Sequence, residues 1–168
     1  QEIRKIETSP PRSRRRAKLA GRRTKKGTMV GFHGRASDVL VEVPECQLLS
    51  PALMAAMPAL SDLTRLTASR KGEVMVTVTE TDAGPDIFVE STKELTPELR
   101  VELAHFGQSH RISRLVWGDE PVLTMAPPIQ RFGKATVVPP PGAFLQATKP
   151  GEAALLASVR GIVGSAGW

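Results

Sequence analysis

The sequence has no tyrosine and only 4% aromatic residues, so a hydrophobic core has to rest mainly on Leu, Val, Ile, Ala and Met. Its single cysteine excludes an internal disulfide. No run approaches the roughly 18 consecutive apolar residues of a membrane-spanning helix, and the charged first residues lack the apolar centre of a signal peptide. These absences predict a cytoplasmic protein that does not enter a membrane.

The sequence also lacks the short motifs of common active sites. It contains no Walker A loop, no G-x-S-x-G and no G-x-G-x-x-G. The three histidines are scattered without the spacing of a zinc site, and His33 lies in a turn, where we expect it to cap the loop. We therefore predict that the 168 residues contain no catalytic residue and no complete active site.

Positive charge is concentrated at one end of the chain. Residues 1–35 hold twelve Lys or Arg and two Glu, a balance of +10, whereas the other 133 residues hold eleven basic and fifteen acidic groups, a balance of −4. A basic surface attracts phosphates without regard to sequence, and Arg adds bidentate geometry. We expect substrate contacts from one strand, with Arg14, Arg16 and Lys18 on one face and Arg15 on the other. A second basic cluster follows at Arg22, Arg23, Lys25 and Lys26. The alternative interpretation of this end is a solvated face or a disordered arm.

Hydrophobic periodicity and turn residues predict an α+β fold, an antiparallel sheet with packed helices. Two helices begin at Ser50-Pro51 and Thr96-Pro97, where a capping hydroxyl precedes a first-turn proline, and Pro58 would kink or divide the first. The expected strands lie at about 14–20, 28–32, 38–43, 73–80, 87–90, 114–117, 122–125 and 134–138, and a last helix spans about 150–163.

The character of the sequence changes after Pro127-Pro128. Residues 1–126 are predicted to form one α+β domain, and residues 127–168 the first strand and helix of a second. The stretch from Phe132 to Glu152 joins a strand, a Pro-Gly corner, the triplet Phe144-Leu145-Gln146 and a helix start. An aromatic and an amide so placed suit contact with a flat base, and the alternative is that Phe144 packs in a domain interface.

Four segments occur in an order that resembles the RNA 5-methyluridine methyltransferases, a family that uses S-adenosylmethionine. They are RRRAKL from Arg14, the Gly31-Phe32 turn, VPECQLLSP from Val43, and the Phe-x-Gln triplet at Phe144. The resemblance covers essentially the whole chain, although residues from about 60 to 125 contribute little to it. It implies that residues 127–168 begin a truncated, Rossmann-like methyltransferase domain.

The resemblance also implies roles for individual residues. Phe144 would lie against an extruded uracil and Gln146 would contact the methyl donor, whereas Thr148 stands where the family has Asn. In cluster-bearing members, the cysteine at the position of Cys46 is the fourth thiolate of a [4Fe-4S] cluster, and the other three come from an earlier segment. From the residues alone, Cys46 is more often a buried small hydrophobe.

The predicted function is therefore that of a fragment of a uracil-5-methyltransferase acting on rRNA or tRNA. The fragment would contribute RNA binding and the Phe-x-Gln edge of the base and donor pocket, and would be inactive alone. The alternative is a non-enzymatic RNA-binding module that uses the Arg-rich strand. A third possibility is a structural domain whose basic end serves solubility only.

Overall fold

The computed structural model describes residues 5–70, 72–91 and 93–165, and within these its main element is a seven-stranded sheet. The strands are ordered β3-β2-β1-β4-β5-β6-β7 across that sheet. They are β1 (Arg16–Thr24), β2 (Gly27–His33), β3 (Leu40–Glu42), β4 (Glu73–Thr79), β5 (Asp86–Glu90), β6 (Arg114–Trp117) and β7 (Glu120–Thr124). The helices are α1 (Pro51–Thr67), α2 (Pro97–Ser109) and α3 (Lys149–Ser165), and a separate pair of strands is β8 (Gln130–Phe132) with β9 (Ala135–Val137).

β1 is an interior strand of the sheet, because it pairs with β2 on one side and β4 on the other. Ala17 and Leu19 are buried, whereas Lys18 between them is exposed, as expected of a strand with one face in the core. At Gly21 the helix α1 comes so close that an added Cβ would lie 2.1 Å from the Thr64 hydroxyl. The core extends from this contact through a set of fully buried side chains: Leu49, Leu53, Leu60, Leu63, Val78, Ile87, Val89, Leu103, Ile112 and Leu115.

Both predicted helix starts are confirmed. The hydroxyl of Ser50 accepts a hydrogen bond from the backbone N–H of Leu53 at 3.3 Å, and the hydroxyl of Thr96 accepts one from Leu99 at 3.3 Å. These bonds satisfy amides that have no partner inside the helix. Of the two expected effects of Pro58, a kink or a division, the division does not occur, because α1 runs undivided through this residue.

The expectation of a purely antiparallel sheet is wrong at one strand pair. β5 and β6 are parallel, with Ile87 opposite Leu115. The chain between them forms α2, and such a crossover carries the chain from the end of the sheet where β5 finishes back to the end where β5 began, so that β6 runs in the same direction. The first two strands are also longer than predicted, since β1 and β2 remain paired up to Thr24 and Gly27.

The residues after 127 form an antiparallel strand pair and a helix. Gln130 lies opposite Val137 in the pair, and the predicted strand at about 134–138 corresponds to β9. The predicted last helix corresponds to α3. A Rossmann-like continuation and the boundary near residue 126 stay predictions. In the described part of the chain, no helix is both long and apolar enough to cross a membrane.

Candidate functional site

The buried Arg15 binds the C-terminal part of the chain itself. Its residue exposure is 3%, its Nε donates to the carbonyl of Gln146 at 3.2 Å, and its Nη2 pairs with the carboxylate of Glu152. Its backbone N–H donates to the carbonyl of Ala147 at 2.8 Å. Arg15 therefore connects the start of β1 to the segment that enters α3. A phosphate would have to displace these contacts to reach it.

The next arginine holds the same segment four residues before Gln146. Arg16 Nη2 donates to the carbonyl of Gly142 at 2.9 Å, and its buried Nε has no hydrogen-bond partner among the described residues. Gly142 has a φ of +67°, and a Cβ there would lie 2.5 Å from the ring of Phe88 on β5. The chain at Gly142 is thus fixed close to the main sheet.

The triplet held by these contacts alternates in exposure. Phe144 is 81% exposed, Leu145 is buried at 6% and Gln146 is half-buried. Thr148 accepts a hydrogen bond from the backbone N–H of Gly151 at 3.1 Å, so it caps α3 as its position before the helix predicts. Leu145 anchors the triplet, and the aromatic ring of Phe144 is left free to contact a partner. We call residues 142–148 the Phe-x-Gln loop.

The remaining predicted contacts of the basic strand are more accessible. Lys18 is exposed and pairs with Glu90 of β5 at 2.8 Å. Arg14 is half-buried, and its backbone N–H donates to the carbonyl of Leu48 at 2.9 Å. The predicted alternation is present, with Arg15 on the buried side and Arg14, Arg16 and Lys18 less buried. These residues differ in how available they are to a ligand, however, because Arg15 and Arg16 already bind the Phe-x-Gln loop and its helix.

Cys46 is half-buried beside the core, between β3 and α1. Its backbone N–H donates to the carbonyl of Val43 at 3.2 Å, and it lines a shallow cavity with Arg12 and Met54. No group of three or more His, Cys, Asp or Glu side chains within the described ranges could hold a metal ion. Because Cys46 is the sequence's one cysteine, these residues do not fit a four-thiolate cluster by themselves. Its role as a ligand stays a prediction.

Sequence reasoning missed the partners of the two arginines. Arg15 and Glu152 are 137 residues apart, and nothing local to either position indicates the ion pair. The run of three arginines could have indicated a buried arginine. It leads into a strand that has a buried face, so one of the three must point into the protein. A buried arginine requires a carboxylate or carbonyl partner.

No family model matches the chain, but its sequence is similar to those of several RNA methyltransferases. An uncharacterized RNA methyltransferase of Rhizobium meliloti is 34% identical over 156 residues, covering 93% of this chain and 38% of the relative. One from Brucella suis is 32% identical over the same shares. The 23S rRNA (uracil(1939)-C(5))-methyltransferase RlmD of Shewanella woodyi is 32% identical over 109 residues, 64% of this chain and 25% of the relative.

The chain thus spans little more than a third of the length of the curated relatives it matches first. The match to those relatives runs through most of the sequence and is not confined to one motif. Over this length the chain belongs to the RNA methyltransferase family that includes the 23S rRNA uracil-5-methyltransferases.

Proposed function

We propose that this chain is the RNA-facing part of an S-adenosylmethionine-dependent RNA uracil-5-methyltransferase. Residues 1–126 would form the RNA-facing domain, and residues 127–168 would open a Rossmann-like catalytic domain. The observation that carries the proposal is the exposed ring of Phe144 on a loop whose backbone is fixed by two arginines. The relatives named for uracil methylation of 23S rRNA favour rRNA over tRNA as the substrate.

The Phe-x-Gln loop has the chemistry that an extruded base requires. A base removed from its stack needs an aromatic face and a polar group that reads its edge. Phe144 offers the face, and Gln146 offers an amide beside it. S-adenosylmethionine, when bound, would supply the methyl group, and Gln146 is the residue of this chain that we propose to hold it.

The arginines contribute by positioning. Arg15 and Arg16 donate to carbonyls on both sides of Phe144, so the backbone that carries the ring does not have to be ordered on binding. Such preorganisation lowers the entropic cost of contact with a substrate. Direct phosphate contacts then fall to exposed cations such as Lys18 and to the half-buried Arg14.

Methyl transfer from radiolabelled S-adenosylmethionine to an rRNA fragment tests whether this chain has catalytic activity by itself. We expect no turnover by the 168-residue chain, because none of its residues has the role of nucleophile or base. Turnover by the purified chain would show that this assignment is wrong.

RNA binding by the same chain separates the proposal from a self-sufficient binding module. Phe144→Ala and Gln146→Ala should leave the affinity for RNA nearly unchanged if their pocket is completed by other parts of an enzyme. A module that stacks bases on Phe144 would instead lose about 1 to 3 kcal/mol. Phe132→Ala, at the less exposed aromatic of β8, is the matched control. An absence of RNA binding near physiological salt would favour the structural domain and contradict the proposal.

A further inference from the structure

The basic end of the chain divides into cations that are paired and cations that are free. Four cations on β1 and at its start have a partner in another part of the fold. The pairs are Arg15 with Glu152, Arg16 with the carbonyl of Gly142, Lys18 with Glu90, and Arg22 with Glu73. Most of the charge that the sequence places on this strand is therefore already paired, at Arg15 in a buried contact and at Lys18 and Arg22 in exposed ones.

The cations at the end of the β1–β2 hairpin are different. Arg23, Lys25 and Lys26 are exposed, and none of them makes an ion pair with any of the described residues. We call these three residues the hairpin tip. Glu42 lines the same shallow cavity as the two lysines, so the tip combines three cations with one nearby carboxylate. Its charge is turned toward the solvent.

The hairpin holds the tip in a defined place. Five residue pairs join β1 to β2, ending at Thr24 opposite Gly27, and only Lys25 and Lys26 form the turn. Thr28 shares a hydrogen bond with Ser61 of α1, which ties the second strand to the core. Three cations are thus carried close together on a two-stranded support. A flexible arm would have to be ordered before it could present them together.

The chemistry of the tip suits phosphates and not bases. No aromatic residue occurs between Arg22 and Gly31, so the tip has no ring on which a base could stack. Lysine ammonium groups act as point charges on flexible stems, which neutralise phosphates without reading a sequence. We propose that the hairpin tip is a sequence-independent binding surface for the RNA phosphate backbone. This inference rests on the proposed RNA-facing function.

The test is the salt dependence of binding, measured by fluorescence anisotropy with a labelled oligouridine. The variant R23Q/K25Q/K26Q removes the three charges at exposed positions. We expect affinity at low salt to fall on the order of tenfold, and the slope of log affinity against log salt to shrink by about 2, since each phosphate contact contributes about 0.7 on single strands. A charge-conserving variant, R23K/K25R/K26R, should keep the slope of the unmodified chain.

A matched control removes three exposed cations elsewhere, as R111Q/K134Q/R160Q. Its slope should stay close to that of the unmodified chain. Equal losses in both neutralised variants would show a general effect of net charge and would overturn the assignment to the tip. Binding by the tip variant that equals the unmodified chain would overturn this inference alone. If the unmodified chain fails to bind RNA, the proposed function is overturned as well. The same holds if the unmodified chain binds phosphatidylserine vesicles but not RNA.

Discussion

The buried Arg15 joins the start of β1 to the segment that enters α3. Arg15 has a side-chain exposure of 4%, and its partner Glu152 has 26%, so most of the ion pair is removed from water. Replacing one partner of such a pair leaves the other charge without compensation. Arg15 therefore contributes more to the stability of the fold than the exposed basic residues around it.

We expect Arg15→Met to lower the free energy of unfolding by about 3 kcal/mol, in the range for breaking a buried pair. Urea titration followed by circular dichroism measures the change. Lys18→Met is the control, because its pair with Glu90 is 50% and 38% exposed and should contribute less than about 1 kcal/mol. Equal effects of the two substitutions would contradict the structural role of Arg15.

The Phe-x-Gln loop allows stability and function to be separated at adjacent residues. Leu145→Ala should cost about 2 to 4 kcal/mol of unfolding free energy, because a buried leucine leaves a cavity. Phe144→Ala should change stability by less than about 0.5 kcal/mol, because the ring is 81% exposed. Thermal unfolding of the two variants checks both values. A large loss at Phe144 would mean that its ring packs against the protein.

At the scale of the elements, the edge of the sheet depends on one glycine. A Cβ at Gly31 would lie 1.9 Å from the backbone carbonyl oxygen of Val41 on β3, and a backbone atom cannot move aside as a side-chain end can. We expect Gly31→Ala to separate β3 from β2 and to cost about 1 to 3 kcal/mol. Gly34→Ala is the control in the same hairpin, since the nearest atom to its added Cβ, the Ser37 Cβ, would be 3.5 Å away. Amide exchange of Phe32 and Val41, which face each other across β2 and β3, reports the loss of pairing directly, and unchanged protection in Gly31→Ala would contradict the close approach.

The two helix caps have the same local chemistry but different surroundings. Ser50 is buried at 7% exposure and also donates to the carboxylate of Glu80, whereas Thr96 is exposed. Loss of a capping hydroxyl typically costs about 1 kcal/mol. Urea unfolding should show that Ser50→Ala lowers the free energy of unfolding by more than about 1 kcal/mol. Thr96→Ala should lower it by no more than about 1 kcal/mol. The reverse order would show that the bond to Glu80 contributes nothing.

At the scale of the whole molecule, the stability of the main sheet depends on the C-terminal segment through the contacts of Arg15. A chain shortened to residues 1–126 lacks Gln146, Ala147 and Glu152, and Arg15 would lose every partner that its side chain has in this segment. We expect the shortened chain to unfold at lower urea than the full chain. Arg15→Met should then cost much less in the shortened chain than in the full one, because the pair it breaks is already absent.

This double comparison also tests the predicted domain boundary. If residues 1–126 fold with undiminished stability, the boundary near residue 126 separates independent units. A cost of Arg15→Met that is equal in both chains would instead show that the pair with Glu152 has no energetic role.

The sequence by itself determined the features whose causes act over a few residues. The caps at Ser50 and Thr96, the burial of the alternate valines of β4 and the start of α3 after Thr148 follow from local hydrogen bonding and from the two-residue period of a strand. The order of four short segments was sufficient to indicate the family, which the relatives then confirmed. Each of these depends on neighbours in the chain or on motif order alone.

Only the tertiary structure decided which charges are free. The sequence shows Arg15, Arg16, Lys18 and Lys25 as members of one basic run, yet the first two hold the Phe-x-Gln loop, the third pairs across the sheet and the last is open to solvent. The parallel pairing of β5 with β6 was likewise set by how α2 returns the chain. The physical reason is the same in both cases, since ion pairs and strand pairing join residues far apart in sequence, and no local pattern carries that information.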